Sequence, residues 1–144
     1  MSRDKLEIAK RALDAYNGLY SATMPENASV DVEPLFAEFA TPDFEWSGFA
    51  ASYEGGSYQG REGVERAVAE TRATWEEIRA LPEEFRDLGD RVLVLGRVQA
   101  RGTNSGAQVD APLASVLDFR GDRICRIRSY LDHAEGMRAA GLRA

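Results

Sequence analysis

The sequence predicts an α+β fold in which helices come first and an antiparallel sheet follows. Three runs of alternating side chains span residues 91–102, 107–119 and 124–131. Polar, glycine-containing turns at residues 103–106 and 120–122 separate these runs, as expected for strands that double back on one another. Ahead of this meander, apolar residues recur at three- and four-residue steps, which is the period of a helix. This order of elements is typical of the α+β class.

Three helices are predicted before the meander. The first covers residues 2–22 and the third covers residues 61–78, and each carries an apolar stripe at helical spacing. The second covers residues 32–40 and has Pro34 in its first turn, where a missing backbone N–H costs little. Pro42 ends the second helix, and Pro82 stops any extension of the third.

Short strands and one loop connect these helices to the meander. Residues 43–47 predict a strand with Phe44 and Trp46 on one face, and residues 84–88 predict a second strand. The loop at residues 48–60 combines Phe49, Tyr53 and Tyr58 with several glycines. Two interpretations of it stay open, a flap over a cavity or simple packing against the rim of the sheet.

The chain is predicted to end in a short capped helix. Asp132 can accept hydrogen bonds from the free N–H groups of the first turn, and Glu135 stands at the third position of a capping box. Gly141 is placed to close this helix in the left-handed conformation.

Composition narrows the function classes. The 144 residues predict a single domain, residues 1–144, and the net charge of −6 disfavours nucleic acid or an anionic membrane as a partner. No apolar run approaches the ~20 residues that cross a bilayer. The single cysteine, Cys125, excludes an internal disulfide and indicates a cytoplasmic location.

Several local motifs, in this order, carry a resemblance to a known family. They lie at residues 43–46, 58–64, 121–124, 130–132 and 134–142. Together they resemble the SnoaL-like branch of the nuclear transport factor 2-like superfamily, over nearly the whole chain. The resemblance implies a cone, in which a strongly curved antiparallel sheet wraps three helices and leaves a pocket at its open end. Ketosteroid isomerases, limonene epoxide hydrolases and polyketide cyclases share this fold, so the lining of the pocket has to indicate the function.

A match to the epoxide hydrolases implies which strand residues face the pocket. Inward residues on the three long strands are Arg97, Gln99, Ala111, Leu113, Ser115, Leu117, Cys125, Ile127, Ser129 and Leu131. Further ligand contacts are expected from Leu95, Phe44, Trp46, Tyr16, Tyr20, Trp75 and Phe85. The outer face then carries Asp110, Pro112, Val116, Asp118, Arg126, Arg128 and Tyr130. Such a mixed face suits the homodimer contact usual in the family, and it suits a solvated surface equally well. A bulge or a one-residue slip in register would bring Asp110 or Asp118 inside instead.

The same match argues against two known mechanisms. Gln99 and Ser129 occupy the positions of the two catalytic acids of the epoxide hydrolases, and neither is a general base near neutral pH. For the ketosteroid isomerases, the base position falls near Gly48 and the tyrosine position near Ala12. Tyr16 could replace that tyrosine in space, but no inward carboxylate is evident to pair with it.

Arg97 is the leading candidate for a functional group. An inward guanidinium is costly to bury without a partner, so a carbonyl-bearing or anionic ligand or an internal structural partner should satisfy it. Two functions therefore stay open. In one, Arg97 polarises the oxygen of a polyketide- or steroid-like enol while Gln99, Ser129 and Tyr16 orient it, as in a cyclase or isomerase. In the other, the cone binds a hydrophobic metabolite or a partner chain without turnover. No metal, cofactor or phosphate-binding motif is present in the sequence.

Overall fold

The computed structural model describes residues 4–19, 32–47, 57–102 and 106–142. Helices α1 (Lys5–Leu19) and α2 (Glu33–Glu38) come first, followed by strands β1 (Ala40–Ser47) and β2 (Tyr58–Gln59) and helix α3 (Gly60–Thr74). Four long strands then run in sequence, β3 (Trp75–Asp87), β4 (Arg91–Gly102), β5 (Gln108–Arg120) and β6 (Arg123–Tyr130), before helix α4 (His133–Ala139). Most of the predicted loop at residues 48–60, together with Tyr20 and Gly48, lies outside the described residues.

The six strands form one sheet in the order β2-β1-β6-β5-β4-β3. Strands β3 to β6 pair as an antiparallel meander, whereas β1 runs parallel to β6. The predicted α+β class and meander are therefore confirmed.

Strand β3 begins where the sequence predicts the last turn of a helix. Helix α3 ends at Thr74, and Trp75 and Ile78, expected on its apolar stripe, belong to the strand. The glutamates, arginine and alanine of residues 76–80 favour a helix, but pairing with β4 along its length outweighs that preference. Because β3 is an edge strand, Pro82 is tolerated in it, beside a break in register between Pro82 and Glu84.

The inner face of the sheet holds the main core. Helices α1, α2 and α3 pack against inward residues that include Val92, Val94 and Val98 of β4. Asn17 fixes α1 to the free edge of β3, because its amide nitrogen donates to the Ala80 carbonyl at 3.0 Å and its oxygen accepts from the Ala80 N–H at 2.8 Å. Helix α1 therefore has a defined position over the sheet.

Helix α4 covers part of the outer face. It encloses a second core cluster with Leu93, Leu95, Ala114 and Val116. The predicted N-cap is confirmed, since Asp132 accepts from the Glu135 N–H at 3.1 Å. The predicted left-handed glycine is also confirmed, since Gly141 has φ +90° and the Leu142 N–H donates to the Met137 carbonyl. A homodimer through the outer face stays a prediction.

No helix within the described ranges is long and apolar enough to cross a membrane.

Candidate functional site

A partly enclosed cavity of about 80 Å³ lies between the helices and the inner face of the sheet. The helices contribute Ala12, Leu13, Tyr16, Leu35, Phe36 and Val64. The segment from the end of α2 through β1 contributes Phe39, Ala40, Phe44 and Trp46. The remaining strands contribute Ala80, Leu113, Ser115, Leu117, Ile124, Ile127 and Ser129. The lining is therefore almost entirely apolar.

Two serines face each other across the central strands of this wall. Ser115 on β5 is paired in register with Ser129 on β6, and their hydroxyl oxygens lie 3.0 Å apart. The next inward pair along the strands is Leu117 and Ile127. The serine pair thus forms a polar point in an apolar wall.

Tyr16 brings a phenol to the cavity from α1. Its ring meets Trp46 of β1 edge-to-face, with ring centroids 5.8 Å apart and planes at 83°. Burial raises the pKa of the Tyr16 phenol far above its ordinary value, because the charged phenolate would lose its hydration. Tyr16 is therefore neutral at physiological pH and can donate a hydrogen bond.

Arg123 fixes the end of helix α2, which contributes residues to one side of the cavity. Its guanidinium donates to the carbonyls of Phe36 at 3.0 Å, Ala37 at 3.1 Å and Ala40 at 3.3 Å. These carbonyls belong to or follow the last turn of α2, where helical partners are missing and a cation is favourable. Sequence reasoning missed Arg123 and Asn17, because each acts on a backbone distant in sequence.

The predicted site residues divide into two groups. Eight of them line the cavity: Tyr16, Phe44, Trp46, Leu113, Ser115, Leu117, Ile127 and Ser129. Trp75, Phe85 and Leu131 instead pack against the main core outside this lining. Leu95 belongs to the outer cluster under α4, so its predicted ligand contact is wrong.

Arg97 and Gln99 lie on the outer face of the sheet, and their predicted inward orientation is wrong. The Arg97 side chain is 44% exposed, and its Nη2 pairs with Asp110 Oδ1 at 2.7 Å. The Gln99 amide donates to the other oxygen of Asp110 at 3.4 Å. A crevice of about 10 Å³ beside the cavity has Arg97 among its lining residues. The physical reason is the pairing of Gln99 with Asp110, since directly paired residues share a face of the sheet.

Asp118 stays outside although the sheet does contain a bulge there. The break in register falls between Asp118 and Phe119. Asp118 nevertheless accepts from Arg126 at 3.0 Å and from Arg128 at 3.3 Å on the outer face. Cys125, predicted to face the pocket, is absent from the lining and donates its thiol to the Asp118 carbonyl.

Among the described residues, the polar groups that the cavity lining offers are all neutral. None of the lining residues within the described ranges carries a charge, and their side-chain polar groups are the hydroxyls of Tyr16, Ser115 and Ser129 and the indole N–H of Trp46. No set of three His, Cys, Asp or Glu side chains in this part of the chain could hold a metal ion. The described lining residues can bind and orient a ligand oxygen, but none of them accepts a proton near neutral pH.

Comparison with known proteins agrees with this architecture. An NTF2-like protein of unknown function from Burkholderia pseudomallei has 23% identity and a TM-score of 0.70, covering 93% of this chain and 95% of its own. TerC, co-crystallised with polyporic acid, has 18% identity and a TM-score of 0.70, covering 95% and 98%. A protein with a ketosteroid isomerase-like fold from Catenulispora acidiphila, in complex with trimethylamine, has 20% identity and a TM-score of 0.67, covering 94% and 93%.

At these identities the solved structures establish the fold alone. No curated protein matches the sequence. The SnoaL-like domain model matches residues 27–127, which is well over half of the chain. The chain therefore belongs to the SnoaL-like domain family, as its motifs predicted.

Proposed function

We propose that this protein binds a small, mostly hydrophobic, oxygen-bearing molecule in the inner cavity and does not turn it over. The observation that carries the proposal is an apolar cavity whose polar side-chain groups, among the described residues, are three neutral hydroxyls and one indole N–H. An apolar wall with a few placed polar groups is the usual composition of a small-molecule site.

The volume of the cavity limits the size of the ligand. Typical ligand pockets measure about 300–1,000 Å³, whereas this cavity measures about 80 Å³. An engineered cavity of about 150 Å³ accepts benzene. We therefore expect either a compact molecule or the apolar end of a longer one.

The lining also favours a neutral ligand. An ionised group in an apolar cavity without an opposite charge costs several kcal/mol of binding free energy, even after relaxation. Because Arg97 lies on the outer face, it does not offset that cost. The enolate chemistry that depended on an inward Arg97 loses its support.

Binding without turnover fits the protonation states of the three hydroxyls. Tyr16 is a neutral phenol, and a serine hydroxyl is a weak nucleophile without an adjacent base. These groups can orient a ligand oxygen, but they do not remove a proton from it. The relatives crystallised with polyporic acid and with trimethylamine support a search among small molecules.

A variant that fills the cavity tests the proposal. Ala12 lines the cavity from α1, and Ala12→Leu adds three carbon atoms there. Ala73→Leu on the exposed side of α3 is the matched control. A ligand at about a hundred times its Kd stabilises the protein by ~2.7 kcal/mol, which raises the Tm by roughly 5–10 °C.

Thermal shift against ketones, lactones, terpenoids and aromatic polyketides should give hits with the native protein and with Ala73→Leu, and none with Ala12→Leu. Equal shifts in both variants would place binding elsewhere and contradict the proposal. A product formed from a bound compound, detected by mass spectrometry, would contradict binding without turnover and favour the cyclase or isomerase alternative.

A further inference from the structure

We infer that the outer face of the sheet carries a second binding site, which takes a small oxyanion at Arg126 and Arg128 of β6. An oxyanion here means a phosphate or carboxylate group, whose negative charge is shared over two or more oxygen atoms. The inward residues of the same strand pair, Leu117 and Ile127, line the cavity on the other side of the sheet. The inference therefore goes beyond the proposed function and does not depend on it.

Three arginines surround one carboxylate at this place. Asp118 of β5 is paired in register with Arg91 of β4 on one side and with Arg126 of β6 on the other. Asp118 Oδ2 lies 3.0 Å from Arg126 Nε and 3.3 Å from Arg128 Nη2. Asp118 Oδ1 lies 3.6 Å from Arg91 Nε. We call Arg91, Arg126 and Arg128 the arginine cluster.

The arginine cluster has more positive charge than its paired carboxylates balance. Arg91 also pairs with Asp90, at 3.3 Å, so it has a carboxylate besides Asp118. Arg126 and Arg128 are left to share the single charge of Asp118. Two positive charges held against one oxygen repel each other, more strongly at a partly buried site than in bulk water. A further negative charge would relieve this repulsion.

This arrangement differs from the other ion pairs in the described part of the chain. There, every paired arginine has at least one carboxylate that it does not share, as Arg97 has Asp110. Glu45 of β1 lies opposite Arg126 in register, but no ion pair joins the two among the described residues. The surplus of positive charge stands in contrast to the net charge of −6 for the whole chain.

Hydrogen bonding within the cluster is also incomplete. Arg128 Nε and Asp118 Oδ1 are both buried, and neither has a hydrogen-bond partner within the described ranges. Arg91 Nε, at 3.6 Å from that oxygen, is too distant to donate to it. Each guanidinium carries five N–H donors, and one carboxylate cannot satisfy those of Arg126 and Arg128 together. The cluster therefore has donors available for another acceptor.

The chemistry of the cluster favours an oxyanion over other ions. The side chains of Arg126 and Arg128 are 41% and 23% exposed, so an ion from solution can reach them. A guanidinium presents parallel N–H donors that match two oxygens of a carboxylate or a phosphate. Chloride is a single acceptor and does not use this geometry.

Titration with inorganic phosphate tests the inference. Phosphate, or acetate in a separate arm, is added to the ¹⁵N-labelled full chain at pH 7, with sodium chloride keeping the ionic strength constant. Backbone amide and arginine Nε–Hε signals locate the site and give the Kd. The test variant is Arg128→Met. The matched control is Arg97→Met, which removes one positive charge from the same face but from an arginine with its own carboxylate.

The native protein and Arg97→Met should bind the oxyanion with signal changes centred on Arg126 and Arg128. Arg128→Met should bind it at least about ten-fold more weakly, the effect expected for the loss of a charge-assisted hydrogen bond. The arm with the lower Kd identifies phosphate or carboxylate as the preferred group. The dispersion of the amide spectrum reports whether Arg128→Met is folded, and Arg126→Met gives the same comparison if it is not.

Three results would overturn the inference, and each leaves the proposed function intact. The first is the absence of localised signal changes in the native protein with either anion. The second is an equal Kd for the native protein and Arg128→Met, which would indicate an adventitious ion only. The third is a dimer, seen by sedimentation velocity, that binds neither anion and that Arg128→Met dissociates, since the cluster would then bind a carboxylate of a second copy.

Discussion

Helix α4 approaches the outer face of the sheet so closely that Gly136 has no room for a methyl group. A Cβ at position 136 would lie 2.2 Å from the Cβ of Ala114 on β5. Carbon atoms in van der Waals contact are about 3.5–4.0 Å apart. Gly136→Ala therefore forces either α4 or the strand to move.

The magnitude follows from two opposing effects. Alanine in place of glycine within a helix stabilises by about 0.5–1 kcal/mol. Overpacking a filled contact destabilises by about 1–3 kcal/mol. We expect Gly136→Ala to lower the free energy of unfolding by about 1–2 kcal/mol, and the Tm by about 2–8 °C.

Gly18→Ala on α1 is the matched control, because a Cβ at position 18 meets nothing within 4 Å. It gains the same helical preference and should be slightly stabilised. Urea denaturation gives the free energy of unfolding of both variants. The gain in helical preference is common to both, so the difference between the two values isolates the effect of the contact with Ala114. Adding Ala114→Gly to Gly136→Ala removes the clashing methyl and should recover part of the loss.

The reasoning is refuted if Gly136→Ala is as stable as Gly18→Ala. It is also refuted if the double variant Gly136→Ala/Ala114→Gly loses as much free energy of unfolding as the two single variants together. Either result would mean that α4 is not seated on β5 as described.

Three further changes test other contacts. Asn17→Ala leaves two backbone groups at the edge of β3 without their partner and should cost about 1–3 kcal/mol by urea denaturation. Arg97→Met breaks a surface ion pair, so it should change stability by less than about 1 kcal/mol and leave ligand-induced thermal shifts unchanged. The Thr41 hydroxyl and the Arg120 guanidinium hold the pKa of Asp43 below its usual range. The ionised Asp43 carboxylate therefore stabilises the folded protein at pH values above its unfolded pKa of about 3.9. That contribution is lost as the pH falls through the folded pKa, and the stability difference between the native protein and Asp43→Asn should shrink between pH 7 and pH 2.

Local patterns predicted most of the elements, and the family resemblance predicted the inner face of β5. The match to the epoxide hydrolases placed Leu113 and Ser115 inside and Asp110 outside, as the structure has them. The caps of α4 were predictable because they depend on residues within one turn.

The orientation of β4 was not predicted correctly, because both of its faces are apolar near its start. Val92 and Val94 meet the main core, while Leu93 and Leu95 lie under α4. Hydrophobicity therefore does not distinguish inside from outside there. The register between β4 and β5 would have decided it, since it pairs Gln99 with the outward Asp110.

The contacts that position the helices could not be predicted from the sequence, for a different reason. Asn17 binds Ala80, which is 63 residues away in the chain, and Arg123 binds Phe36, which is 87 residues away. Neither side chain belongs to a local motif. Each of them binds a backbone group, and because every residue type carries such groups, the sequence does not mark the partner. Only the packed fold brings them together.

The location of a bound ligand tests the central claim most directly. Intermolecular NOEs from cyclopentanone to the methyl groups of Leu113 and Ile127 are expected if the cavity is the binding site. NOEs confined to outer-face residues, such as Leu93 and Val116 beneath α4, would contradict the account.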